Sequence, residues 1–238
     1  MLHDRDIREP LFEFLEETYG KIRILEEKTM GKSRADVVMV TPDSLIGIEI
    51  KSDADTYARL SRQVRDYDLY YDRNIVVVGT SHALHIEEHV PAHWGIITAE
   101  LQDERMDFYI LRTPKPNPGL SLSDKLRILW RPELYQLQQS FGLPKYKDRG
   151  KDFVIAKLCS LVPEPVSREA FDREVSAILF ERDYTTAADT IREYRKSELQ
   201  KAIEQETDPA RQVELRFLQL EKARNLKPGK RRRRRRLW

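Results

Sequence analysis

The apolar positions change period several times along the chain, and each change marks an element. Over residues 6–19, Ile7, Leu11, Phe14 and Leu15 sit among charged residues at helical spacing, which predicts an amphipathic helix. Residues 22–28 read as a strand, and Met30-Gly31-Lys32-Ser33 turns the chain. Two apolar, β-branched-rich runs, residues 37–40 and 45–50, flank Thr41-Pro42-Asp43-Ser44, whose residue types favour a turn, so a hairpin is expected. Residues 53–72 return to helical spacing through Tyr57, Leu60, Val64, Tyr67 and Tyr71, with Ser52 or Asp53 as cap. A continuous apolar run at 75–79 predicts a buried strand, followed by a short helix around 83–89 ended by Pro91, and strands at 94–98 and 106–111.

The pattern then changes character. Three prolines in Thr113-Pro114-Lys115-Pro116-Asn117-Pro118-Gly119 exclude regular structure and mark a linker. Helical spacing follows over 123–140, 152–161, 167–181, 187–206 and 209–225, with Ser167 as an N-cap. The expected organisation is an α/β domain at 1–112, a linker at 113–121, a helical domain at 122–226 and a basic tail at 227–238. The helical region could carry a homodimer contact or a protein partner.

Charge sharpens that picture. The chain has 42 Lys and Arg against 40 Asp and Glu, but eight of the basic residues lie in the tail, six of them as Arg231 to Arg236. The remainder is therefore acidic, 34 against 40. An arginine run can bind phosphates by releasing counterions, so Arg231, Arg232 and Arg233 are candidate nucleic-acid contacts, as is Arg34 in the body. A solubilising end is the plainer alternative for the tail. One cysteine excludes a disulfide framework and a cysteine-based zinc site. With no long apolar segment the expected setting is cytoplasmic, with no membrane partner. His82, His85, His89 and His93 fit an exposed surface better than a metal site.

The chemistry-bearing residues lie inside the expected hairpin. Asp36, Glu49 and Lys51 interrupt apolar strands, where an unpaired charge is costly. If the turn centres on Pro42 and Asp43, Asp36 lies opposite Glu49, with Cβ atoms roughly 4.5–5.5 Å apart, and Lys51 shares their face. Two carboxylates so placed could hold one divalent cation. The same residues also fit a buried ion pair without chemistry. Gln63 and Tyr67, four apart on the next helix, share one side of it.

In this order, Asp36, Glu49-Ile50-Lys51, Gln63 and Tyr67 resemble the PD-(D/E)XK nuclease superfamily. The Gln-X-X-X-Tyr spacing is similar to the subset containing RecB-like exonucleases and bacterial repair nucleases. Ala35 stands where that pattern has proline, and it supplies no catalytic group. The resemblance implies a restriction-endonuclease-like core: a helix, a three-stranded antiparallel or mixed sheet, a helix and further strands, followed here by an all-α region. It implies Asp36, Glu49 and the Ile50 carbonyl as ligands of Mg2+, for which Mn2+ can substitute. Lys51 would position or deprotonate the attacking water, and Gln63 and Tyr67 would orient the site or touch the DNA backbone. Many members carry a further acid upstream. Glu9, Glu13, Glu16, Glu26 and Glu27 are available here, and Glu27 is the choice as a metal ligand. The implied activity is metal-dependent DNA hydrolysis in repair, mobile-element biology or phage defence. The alternative is a non-catalytic nucleic-acid- or protein-binding module on the same fold.

Overall fold

A computed structural model of the chain describes residues 2–30, 33–103, 105–182, 203 and 211, without the side chains of residues 5, 27–30 and 33. The hairpin forms where the two apolar runs place it. β2 (Ser33–Val40) and β3 (Leu45–Lys51) are antiparallel, with Val40 opposite Leu45 and Val37 opposite Ile48. The turn is closed by the Thr41 N–H on the Ser44 carbonyl at 2.9 Å. This register is the one expected from a turn centred on Pro42 and Asp43. A slip of one residue would have turned one strand's charged side chains to the opposite face.

The hairpin is part of a mixed six-stranded sheet in sequential order, with β1 (Arg23–Met30), β4 (Arg73–Gly79), β5 (Gly95–Gln102) and β6 (Arg105–Arg112). β1, β2 and β3 pair antiparallel, β3, β4 and β5 parallel, and β6 returns antiparallel to β5. α1 (Asp4–Tyr19) buries Ile7, Leu11 and Leu15 with Val37, Met39, Ile46 and Ile48 on one face. α2 (Leu60–Tyr70) makes the crossover between the parallel strands β3 and β4. It buries Leu60, Val64 and Tyr67 on the other face with Val38, Val40, Val76 and Val78. Because β3 and β4 are covered on both sides, they are buried along nearly their whole length rather than at alternate positions.

The second half is helical: α3 (Leu122–Lys125), α4 (Arg131–Ser140), α5 (Lys151–Cys159) and α6 (Arg168–Phe180). Three sequence expectations need correction. The helix expected over 123–140 is broken by a 3-10 turn at Leu126–Ile128 and by extended backbone at Leu129 and Trp130, after which α4 restarts with Pro132 in its first turn. A proline inside a helix removes a hydrogen bond and clashes with the preceding turn, whereas the first turn tolerates it. The helix expected over 53–72 begins late, as a 3-10 turn at Tyr57–Arg59 leading into α2. Asp53 does not cap it: its carboxylate accepts the Leu2 N–H and both the N–H and hydroxyl of Ser81. The helix expected around 83–89 is a single 3-10 turn, Ile86–Glu88. Ser167 caps α6 as expected, its hydroxyl accepting the Ala170 N–H at 3.2 Å. Apart from residues 203 and 211, the helices expected over 187–206 and 209–225 and the tail lie outside the described residues.

The chain divides into compact units at 181/182, so the Pro-rich linker falls inside the first, Met1–Glu181. A buried cation explains why. Lys125 is fully buried, and its Nζ donates to Asp72 Oδ1 and Oδ2 at 2.9 and 2.7 Å and to Asp172 Oδ1 at 2.6 Å. Asp72 precedes β4 and also accepts the Leu45 N–H at 2.7 Å, while Asp172 belongs to α6 and is gripped by Arg168. From the linker, Asn117 Nδ2 donates to the carbonyls of Asp68 and Tyr71. None of the described helices is long and apolar enough to cross a membrane.

Candidate functional site

The site lies where β2 and β3 part. Their last ladder pair is Val37 with Ile48, and the Tyr67 hydroxyl occupies the gap beyond it. Tyr67 Oη accepts the Asp36 N–H at 3.2 Å, lies 3.2 Å from the Ile48 carbonyl oxygen, and donates to Glu49 Oε2 at 2.7 Å. The ring approaches this closely because residue 47 is glycine. A Cβ there would stand 2.7 Å from Tyr67 Cδ1 and closer still to the Tyr71 ring. Burial, with Glu49 and Asp36 nearby, pushes the Tyr67 phenol well above its ordinary value, so it remains a neutral donor.

Glu49 is nearly sealed, 1% exposed, and three donors converge on it. Lys51 Nζ stands 2.5 Å from Oε1, Gln63 Nε2 donates to the same oxygen, and Tyr67 holds Oε2. Lys51 is itself 3% exposed, so the buried ion pair suggested by the sequence does form. Asp36 Oδ2 accepts the Ile50 N–H at 3.0 Å. In a strand the N–H and C=O of one residue point to the same edge, so the Ile50 carbonyl turns toward Asp36, where the ladder has ended. From α1, Arg8 Nη1 donates to the Asp36 carbonyl at 3.2 Å and Nη2 stands 3.8 Å from Oδ1. Asp4, one turn earlier, holds that guanidinium at 2.9 Å. Burial first, and then the Glu49 charge, raise the Asp36 carboxyl to about 7; the Ile50 N–H, Lys51 and Arg8 oppose the shift.

Asp4, Arg8, Asp36, Glu49, Ile50, Lys51 and Gln63 line a cavity of about 340 Å3, and Tyr67 supports it from behind Glu49. The structure brings together Asp36, Glu49, Lys51, Gln63 and Tyr67, with Ile50 and the exposed Arg34 also at the cavity. Glu9, Glu13, Glu16 and Glu26 do not line the cavity, and the acid α1 brings to it is Asp4. Glu27 lies in β1, and its side chain is outside the described residues, as are Arg231, Arg232 and Arg233. Arg8, Asp55, Arg59 and Arg62 line the cavity without having been singled out by the sequence. Asp4 and Arg8 had a legible signal, opposite charges four apart at a helix start. Arg59 and Arg62 had only their proximity to Gln63. Of the four histidines, His82 and His89 pack against the Tyr57 ring, with centroids 4.8 and 4.0 Å away. Among the described residues no group of three or more His, Cys, Asp or Glu side chains is placed to hold a metal ion.

The site's donor set is nevertheless specific. Two carboxylates are close enough for one to raise the other's pKa, a strand carbonyl faces the same gap, and Gln63 Oε1 is buried with no hydrogen-bond partner. Hard oxygen donors of this kind fit Mg2+ or Mn2+, and an orphaned amide oxygen fits a coordinated water.

A family model described as bacteriophage P4 protein cII matches residues 2–219. The chain belongs to the bacteriophage P4 cII protein family. No curated protein matches this cII-family chain. Among solved structures it is similar to SfsA of Pyrococcus furiosus, determined in complex with Ca2+, at a TM-score of 0.27 and 16% identity. That similarity covers 47% of the cII-family chain and 60% of SfsA, less than two thirds of its length.

Proposed function

We propose that this cII-family chain is a divalent-metal-dependent nuclease that hydrolyses phosphodiester bonds in DNA, built on a restriction-endonuclease-like core of the PD-(D/E)XK type. The observation that carries this reading is the convergence of Asp36, Glu49 and Lys51 with Gln63 and Tyr67 at one site. The strand and helix order around them supports it. The family's phage description favours mobile-element biology among the expected settings.

Asp36, Glu49 and the Ile50 carbonyl would hold the cation. When bound, a divalent cation supplies a Lewis acid for the phosphate and lowers the pKa of a coordinated water. Lys51, held against Glu49, is placed to donate to a phosphate oxygen and to stabilise the charge that develops on it. Gln63 offers its free Oε1 to the attacking water, fixing its orientation. Tyr67 keeps Glu49 in place as an acceptor. Water attacks phosphorus, the bond to one ester oxygen breaks, and that oxygen leaves after taking up a proton.

One observation favours the second reading, a non-catalytic nucleic-acid- or protein-binding module. Each carboxylate already faces an internal cation, Glu49 facing Lys51 and Asp36 facing Arg8. Cleavage of linear DNA in Mg2+ and in Mn2+, compared with Asp36→Ala and Lys51→Ala, separates the two. Catalysis by this site requires metal-dependent cleavage that both substitutions reduce by about 10²-fold or more. Cleavage that both variants retain excludes these residues. No cleavage by wild-type protein supports the binding module.

A further inference from the structure

The nuclease reading makes the depth of the site informative about its substrate. Glu49 and Lys51 are almost fully buried at a cavity whose volume is only about 340 Å3. Arg59 and Arg62 line the same cavity but are exposed, and neither makes a hydrogen bond or ion pair among the described residues. They stand three positions apart, spanning the step from the 3-10 turn into α2. Arg8 and Arg34 line the cavity from α1 and β2. Recessed reacting groups thus meet the exposed guanidinium groups of Arg59 and Arg62 at the same opening. The acidic Asp55 beside them is occupied, its carboxylate accepting both the N–H and the hydroxyl of Ser52.

Duplex DNA fits this arrangement poorly. Its phosphates are fixed along a stiff rod, and drawing one out of line into a recess means kinking or bending the helix at about 1–6 kcal/mol. A single strand rotates about its backbone without that cost. Two free guanidinium groups near the point of descent match the phosphates on either side of the one cut.

We propose that the substrate is a single DNA strand, whose scissile phosphate descends to Lys51 while Arg59 and Arg62 hold its neighbouring phosphates. This rests on the nuclease reading, and the experiment has two arms so that the two can fail separately. In the first arm, one labelled oligonucleotide is cleaved in Mg2+ as a single strand and as its blunt duplex. The single strand should be cut at least about tenfold faster, which corresponds to about 1.4 kcal/mol, the low end of the deformation cost. In the second arm, binding of both forms is followed by fluorescence anisotropy in EDTA across a salt series. The single strand should bind more tightly. Arg59→Gln with Arg62→Gln should flatten the slope of log K against log salt by about 0.7 per lost contact. A change that merely disturbed packing would leave that slope unaltered. Equal or faster cleavage of the duplex, equal or tighter duplex binding, or an unchanged salt slope would overturn the proposal. Absence of cleavage on both substrates would count against the nuclease reading alone, and the binding arm would then decide the strand preference.

Discussion

The hydroxyl of Tyr67 donates to Glu49 Oε2 at 2.7 Å, tying α2 to β3 at the point where β3 parts from β2. The Tyr67 hydroxyl oxygen itself accepts the Asp36 N–H, so one phenol supports both acidic strands. Tyr67→Phe should leave that N–H and one Glu49 oxygen without their partner. The expected loss is about 1–3 kcal/mol, measured by urea unfolding. A variant as stable as wild type would show that the hydroxyl is dispensable to the strands.

Asp36 gives a pH dependence with a definite sign. Its folded-state pKa of about 7 lies above the unfolded value, so between the two the native state binds more protons. Stability from this group is present at low pH and declines as pH rises through 7. Asp36→Asn keeps an acceptor for the Ile50 N–H and removes the titration. In EDTA, the variant should gain on wild type between pH 5 and pH 8 by up to about 2–3 kcal/mol, reduced by solvent screening. A difference independent of pH would refute the assignment. Mg2+ affinity of the wild type should rise over the same interval, as the proton ceases to compete.

Gly47→Ala tests the approach of the tyrosines. The added methyl meets the buried rings of Tyr67 in α2 and Tyr71 just beyond its end. Overpacking of this kind costs about 1–3 kcal/mol. Displacement of Tyr67 should also weaken metal binding, read by isothermal titration with Mn2+. Unchanged stability would mean that the rings move aside freely.

Lys125→Met should be more severe. It removes the buried cation between Asp72 and Asp172, leaving only Arg168 to face two largely buried carboxylates. Breaking a buried pair from one side costs about 3–5 kcal/mol. Urea unfolding followed by two probes should show the sheet and helices α3–α6 losing structure together. Separate transitions would indicate that the helices are an independent domain.

What the sequence made legible follows the physics of each signal. The hairpin and its register could be read because a short turn fixes the pairing and alternation fixes the faces. Asp36 and Glu49 were found because charge inside an apolar strand is conspicuous. Arg8 was not, since an arginine on the polar side of an amphipathic helix looks like any solvated residue until the fold turns it toward Asp36. The break at Trp130 was signalled by Pro132, but the run of leucines across it masked the stop. The union of sheet and helices was invisible because it depends on Lys125, Asp72 and Asp172, which are far apart in sequence and ordinary in type.

That union bears on how such a chain can be inherited. A recombination point in the Pro-rich linker looks harmless, since it would separate two stretches of different composition. It would leave Asp72 in one parent's half and Lys125 with Asp172 in the other's. Shuffling therefore succeeds only between partners that already share this charge arrangement, and the two halves are expected to travel through genomes as one piece.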